Sequence, residues 1–265
     1  MVTVQERTVS VWNNQVKPKI RLAGSGPALV YLHGAYGLRW DAFLDELART
    51  FTVYAPEHPG TTAGDPDSIK SLDNLWDLVL YYEEMFDRLG LQSPVVIGHS
   101  FGGMVAAEIA ASYPKRVSKL VLLCPIGLWR DDAPVKNWMV MPMEAVAQAA
   151  FYDPTGPVAR QLLTLPDDPV ARQDAEIQLT WSLACTGKFI WPIPDKGLKK
   201  RIHRITAPTL IIWGREDKLV PPVYAQEFAS RIAGARVELI ERAAHVPQLE
   251  QLATVSGLVR AFVAG

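Results

Sequence analysis

The sequence predicts an α/β fold: a mostly parallel central sheet, covered by helices on both faces, with a helical segment inserted into it. Three observations lead there. Short apolar, β-branched runs alternate with amphipathic helical stretches, the rhythm of strand–helix–strand crossovers. One crossover carries Gly98-His99-Ser100-Phe101-Gly102 between a strand pattern and a helix pattern. The strand rhythm then stops after Pro125-Ile126-Gly127 and resumes only at Thr209. A chain of 265 residues, 49% of them hydrophobic, can build one such domain with a sizeable core.

The elements follow in order. Residues 3–12 alternate through Val4, Val9 and Val11 and read as an edge strand, with Lys19-Ile20-Arg21-Leu22 as its hairpin partner. Gly24-Ser25-Gly26-Pro27 is a turn. Ala28-Leu29-Val30-Tyr31-Leu32 is an apolar run between turn signals, so a central strand, closed by His33-Gly34-Ala35-Tyr36-Gly37. Residues 40–50 read as a helix and Phe51-Thr52-Val53-Tyr54-Ala55 as the next strand. A polar loop over 61–68 precedes a long amphipathic helix over 73–89, with Gly90 just past its end. Val95-Val96-Ile97 is a buried strand, and Met104 to Ala111 supplies helix formers directly after the glycine motif. Lys119 to Cys124 and Thr209 to Trp213 are further buried strands. A helix over 222–232, a last strand at Arg236 to Ile240 and a closing helix over 248–263 complete the chain. Between 128 and 204 no strand pattern occurs, which divides the chain into a core, 1–127 with 205–265, and an insertion, 128–204.

Composition narrows the function. A formal net charge of −1 gives no support for a nucleic-acid or anionic-membrane partner. Of the two cysteines, Cys124 lies in an apolar strand and reads as a buried thiol rather than half of a disulfide. No apolar run is long enough to span a bilayer, and the N-terminus lacks an apolar signal core. The expectation is a cytoplasmic protein, monomer or homodimer, acting on a small molecule. No His/Cys/Asp/Glu cluster has metal-ligand spacing and no glycine-rich phosphate loop occurs, so neither metal nor cofactor is expected.

The chemistry centres on Ser100. A strand that becomes a helix within so few residues must bend sharply; Gly98 and Gly102 leave room where side chains would collide, and Ser100 is lifted clear. The helix start also offers free N–H groups to an anion. A serine hydroxyl needs a general base, and the base needs an orienting acid. In a parallel sheet both belong beyond strand C-termini. Asp217 follows one late strand in Trp213-Gly214-Arg215-Glu216-Asp217, and His245 follows the last.

Taken together, Gly98-His99-Ser100-Phe101-Gly102-Gly103, Trp213-Gly214-Arg215-Glu216-Asp217 with Val220-Pro221, His33-Gly34 after a strand, and His245 with Glu250 resemble the α/β-hydrolase superfamily. The resemblance covers nearly everything outside 128–204. It implies Ser100 as nucleophile, His245 as general base and acid, Asp217 as its orienting acid, and the N–H groups of Ala35 and Phe101 as oxyanion hole, with Tyr36 the lesser alternative donor. Two departures stand out: Ala244 where many relatives have glycine, and Glu57 where many have aspartate. The insertion resembles a helical cap. Its aromatics suggest an apolar roof, with Tyr36, Trp129, Trp138, Trp181 and Trp191 as candidate pocket residues. The remaining histidines read as structural: His33 and His58 bracing loops, His99 pointing away from the serine, His203 on a solvated face. Glu216 reads as exposed.

The reading that follows is an esterase for a small, largely apolar carboxylic ester, working through an acyl-enzyme. One alternative keeps the triad for C–C bond hydrolysis of a diketone-like acid, or for lactone, amide or perhydrolytic chemistry; Arg160 and Arg172 would then be candidates to hold a substrate carboxylate. Another is a slow-turnover ligand receptor on the same fold.

Overall fold

Apolar runs with alternating faces set the sheet. In a computed structural model, which describes residues 2–63 and 65–265, eight strands form it. Met1 and Gly64, the latter in the expected polar loop, lie outside the described residues. The strands are β1 (Gln5–Thr8), β2 (Lys19–Ala23), β3 (Ala28–Leu32), β4 (Thr52–Pro56), β5 (Val95–His99), β6 (Lys119–Leu123), β7 (Thr209–Gly214) and β8 (Arg236–Ile240). Their order is β1-β2-β4-β3-β5-β6-β7-β8. β2 is antiparallel to both neighbours, and every pair from β4 to β8 is parallel. The connections leave β3 and β5 in opposite directions, so a crevice opens between their C-terminal ends.

Helices cover both faces, as the crossovers require. They are α1 (Ala42–Ala48), α2 (Leu75–Arg88), α3 (Phe101–Ser112), α4 (Met143–Ala150), α5 (Pro157–Leu163), α6 (Pro169–Ile190), α7 (Val223–Ala229), α8 (Pro247–Glu250) and α9 (Leu252–Ala264). Val30, Leu32, Val96, Leu122 and Trp213 pack toward α2, α3 and α7. Their alternating neighbours Leu29, Tyr31, Ile97, Leu123 and Ile212 pack toward α1 and α9. Asn74 caps α2 by accepting from the N–H groups of Trp76 and Asp77. Residues 124–208 hold α4, α5, α6 and short 3₁₀ turns, with no strand among the described residues.

The structure changes the sequence-based outline in three places. The N-terminal strand stops at Thr8, because Trp12, Asn13 and Asn14 turn through positive φ and Val11 pairs back onto Val16. The polar loop ends in a 3₁₀ turn at Pro66–Ser71. The closing helix is broken at Gln251 (φ −129°) into α8 and α9.

Candidate active site

The turn after β5 is strained as its sequence implies. Ser100 has φ 54° and ψ −114°, a conformation L-residues rarely hold. A Cβ on Gly98 would stand 2.3 Å from the Gly102 carbonyl oxygen, and one on Gly102 would stand 2.1 Å from that of Leu32. Those positions therefore admit only glycine. The backbone is held from outside: the Ser100 N–H donates to Leu123 at 2.9 Å, and its carbonyl accepts from Met104 and Ile126.

Three side chains from distant loops meet at this turn. Ser100 Oγ lies 2.9 Å from His245 Nε2, and His245 Nδ1 lies 2.8 Å from Asp217 Oδ2. All three residues are buried. The other Asp217 oxygen accepts from the Leu219 and Val220 N–H groups, each at 2.9 Å, so the carboxylate cannot swing away. Close packing brings the acid and base loops together, since a Cβ on Gly214 would stand 2.0 Å from the Ala244 carbonyl oxygen. Glu250 fixes the histidine loop: it accepts from Ala244 N–H at 2.7 Å and from Tyr152 N–H at 2.6 Å. Glu216 is half-buried rather than exposed, because it accepts from the N–H groups of Arg242 and Ala243 in the same loop.

Two N–H groups flank the serine. Phe101 opens α3, so its N–H has no partner within the helix. The Ala35 N–H finds no backbone acceptor among the described residues. Its loop runs against the serine: a Cβ on Gly34 would stand 3.5 Å from Ser100 Cβ.

His33 and His58 brace this loop, and their hydrogen bonds fix their tautomers. His33 Nε2 accepts from the His58 N–H at 3.0 Å, so its Nδ1–H donates to Gly34 O at 2.7 Å. His58 Nε2–H donates to His33 O at 2.8 Å, and its Nδ1 faces the Tyr82 hydroxyl. His99 is held by the base: its Nε2–H donates to His245 O at 2.7 Å, and its ring lies beside that of His245. Burial pushes His58 down to about 4 and His99 to about 3. Below the ordinary value near 6.5 the unfolded chain binds protons that these buried rings refuse. Stability should therefore fall as pH drops from about 6.5 toward about 4. Urea midpoints at about pH 7.5 and 4.5 should show the fall, and His58→Gln should flatten it. Midpoints equal at both pH values would contradict the assignment of neutral rings.

The serine opens on a cavity of about 680 Å³. Its roof is apolar, with Met143, Val146, Leu162 and Leu179 from the inserted segment. Tyr36 and Trp138 line it, as the sequence suggests; burial pushes the Tyr36 hydroxyl up to about 12. Trp129, Trp181 and Trp191 do not line it. Trp129 packs on the core and bonds Asp131. Trp181 is two residues, roughly 200°, beyond Leu179 on α6, which turns it outward. Trp191 follows the end of α6 and is 53% exposed. Phe189 instead stacks on Phe101, tying α6 to the elbow. Arg160 and Arg172 also face away, bonding the carbonyls of Thr155 and Pro166. Glu57 reaches the cavity wall, paired with Arg21 at 3.4 Å. Sequence reasoning missed Tyr31, Asp41 and Gln248, which line it too; the one signal was Asp41 as a helix N-cap.

One group among the described residues has the donor types of a metal site: Cys124, Asp217 and His245, within 4.8 Å of one another. Its chemistry does not fit. Asp217 and His245 Nδ1 are bonded to each other, and burial with the adjacent Asp217 pushes the Cys124 thiol well up, away from the thiolate a metal needs.

The alpha/beta hydrolase family model matches residues 29–256, and the chain belongs to that family. It is 26% identical to a 2-hydroxy-6-oxononadienedioate/2-hydroxy-6-oxononatrienedioate hydrolase of Comamonas testosteroni, over 99% of this chain and 95% of that one. It is 27% identical to a monoacylglycerol lipase of Homo sapiens, over 91% and 76%. The solved meta-cleavage product hydrolase from Pseudomonas fluorescens superposes with a TM-score of 0.75 at 24% identity, over 97% of each chain. One further curated relative is longer, and the chain spans 66% of it. No helix of the structure is long and apolar enough to cross a membrane, among the described residues.

Proposed function

We propose that the chain is a serine hydrolase that cleaves a monomeric carboxylic ester through an acyl-enzyme, with residues 128–204 as the cap over its site. The observation behind this is the bonded line Ser100–His245–Asp217 opening on the capped cavity. Ser100 Oγ attacks the ester carbonyl while His245 Nε2 takes its proton. Asp217 holds the ring with Nδ1–H toward itself and stabilises the imidazolium. The oxyanion gathers at the N–H groups of Ala35 and Phe101. His245 then protonates the departing alcohol, and a water attacks the acyl group by the reverse sequence.

C–C bond hydrolysis of a diketone-like acid is the second reading, motivated by the Comamonas relative. It calls for a cation to hold the substrate carboxylate. Arg160 and Arg172 bond backbone carbonyls and do not line the cavity; of the two arginines that do, Arg21 is engaged by Glu57 and Glu6 and Arg39 donates to the Gln161 carbonyl. That favours the ester.

The test is the specificity constant for p-nitrophenyl esters of increasing acyl length. Each buried methylene should contribute about 0.8 kcal/mol, close to fourfold, until the pocket is full. Activity should rise from acetate to a short or medium chain and then fall, since a packed wall resists overfilling. Highest activity on long, emulsified esters would instead make the cap an interfacial lid. Turnover of a ring-cleavage diketone with none of any ester would overturn the ester reading.

A further inference from the structure

The helix α6 has two faces of different character. One carries Leu179 and Ser182 on the cavity wall. On the other lie Val170, Asp174, Ile177, Trp181, Ala184 and Lys188, all exposed. Turning 100° per residue brings these six within about 40° of one line along the helix. They follow one another at steps of four, three, four, three and four residues, the spacing of a and d positions in a heptad repeat. A helix that only covers a core turns its apolar stripe inward. Here a second stripe, with Val170, Ile177 and Trp181 on it, is turned outward.

The charges along this seam give the partner. Asp174 stands in its N-terminal half, close to Asp167 and Asp168 at the start of the helix, and Lys188 closes its C-terminal half. The Lys188 ammonium donates to a backbone carbonyl, that of Ile69, at 3.0 Å, so its charge is not cancelled there. The other charges of this stretch leave the seam by the same helical count. Arg172 bonds the Pro166 carbonyl at 3.1 Å, and Glu176 lines the cavity. A seam that is acidic toward one end and basic at the other complements itself when turned end for end.

We propose that this face of α6 joins two copies of the chain about a two-fold axis lying between Ile177 and Trp181, with the two helices antiparallel. In that register Ile177 meets the partner's Trp181, Val170 the partner's Lys188, and Asp174 the partner's Ala184. Each contact sets an a position against a d position. Lys188 then lies one turn from the partner's Asp174, within reach of its long stem, and the small Ala184 lets the backbones approach. The same patch serves both copies, as an isologous contact requires. A parallel pair would set Asp174 on Asp174 and Lys188 on Lys188. An anionic bilayer would meet Asp167, Asp168 and Asp174 with like charge. The seam is about 27 Å long, which makes a small interface and a reversible dimer. The cavity wall is the other face of the helix, so the contact does not depend on the reaction.

The test is sedimentation velocity on the full chain from about 1 to 100 µM, the range of a reversible contact. The parent should pass from monomer to dimer as concentration rises. Ile177→Glu should stay monomeric throughout and keep the parent's circular dichroism. Lys188→Glu alone and Asp174→Lys alone should each weaken the dimer about 10-fold or more, since each sets like charges against one another twice. An equimolar mixture of those two variants should restore it, because every charged contact in the mixed dimer then pairs opposite signs. A parent that stays monomeric, a dimer that survives Ile177→Glu, or a mixture no tighter than its single variants would overturn the proposal. A dimer lost in Ile177→Glu but indifferent to both charge changes would overturn the antiparallel arrangement.

Discussion

Replacing Ser100 with alanine should lower ester turnover by about 10⁶-fold, the scale at which a serine nucleophile's loss removes the covalent route and leaves only binding and oxyanion stabilisation. The structure makes this a clean experiment. The side chain faces the cavity and its one side-chain bond is to His245, so its removal leaves the packed core untouched. Alanine also keeps the Cβ at a residue already held at φ 54°, so the strain of the elbow is neither relieved nor increased. The thermal midpoint should stay near that of the parent protein while the rate collapses. A phosphonate probe should label the parent at Ser100 and leave the variant unlabelled; labelling that persists would refute the assignment.

Asp217→Asn should cost about 10⁴-fold in turnover, through the tautomer of His245. The reason can be read from the acid's own bonds. Oδ1 accepts from the Leu219 and Val220 N–H groups, which fixes the oxygen of an asparagine at the same place. Its NH₂ must then face His245 Nδ1. That nitrogen becomes an acceptor, the ring proton moves to Nε2, and Nε2 can no longer take a proton from Ser100. Glu216→Gln should do little, because a glutamine oxygen still accepts from Ala243 N–H, now at 3.2 Å. Equal losses from the two substitutions would show that the acid is misassigned.

The parallel sheet was legible because its strands are buried on both faces and read as unbroken apolar runs, from Ala28–Leu32 to Thr209–Gly214. Ser100, Asp217 and His245 were legible because the parallel topology sends every strand's C-terminal end to one side. The cavity wall was not. α6 carries apolar residues all round, with Leu179 on the wall but Val170 at 68% and Ile177 at 59% exposure. Periodicity could not say which face it turns inward, and the large aromatics were a partial guide, since Tyr36 and Trp138 line the wall while Trp129, Trp181 and Trp191 do not. Asp41 escaped for a different reason. As an N-cap it already had a complete local explanation, and its place on the cavity wall is a matter of tertiary packing.

The last turn of α4 has a mechanical side. Its final carbonyls, on Ala149 and Ala150, accept from the N–H groups of Lys218 and His245 at 3.1 and 2.9 Å. One end of the roof is thereby bolted to the residue after the acid and to the base itself. A swing of α4 would carry the imidazole off its serine, so this edge of the roof is the one that must stay still, and any give belongs to the opposite edge, α5 and α6. That edge is fastened by side-chain bonds, Arg39 to Gln161 and Gln178 to Thr61. In hydrogen exchange the His245 amide should be as slow as the sheet, and the α5 amides should exchange ahead of it.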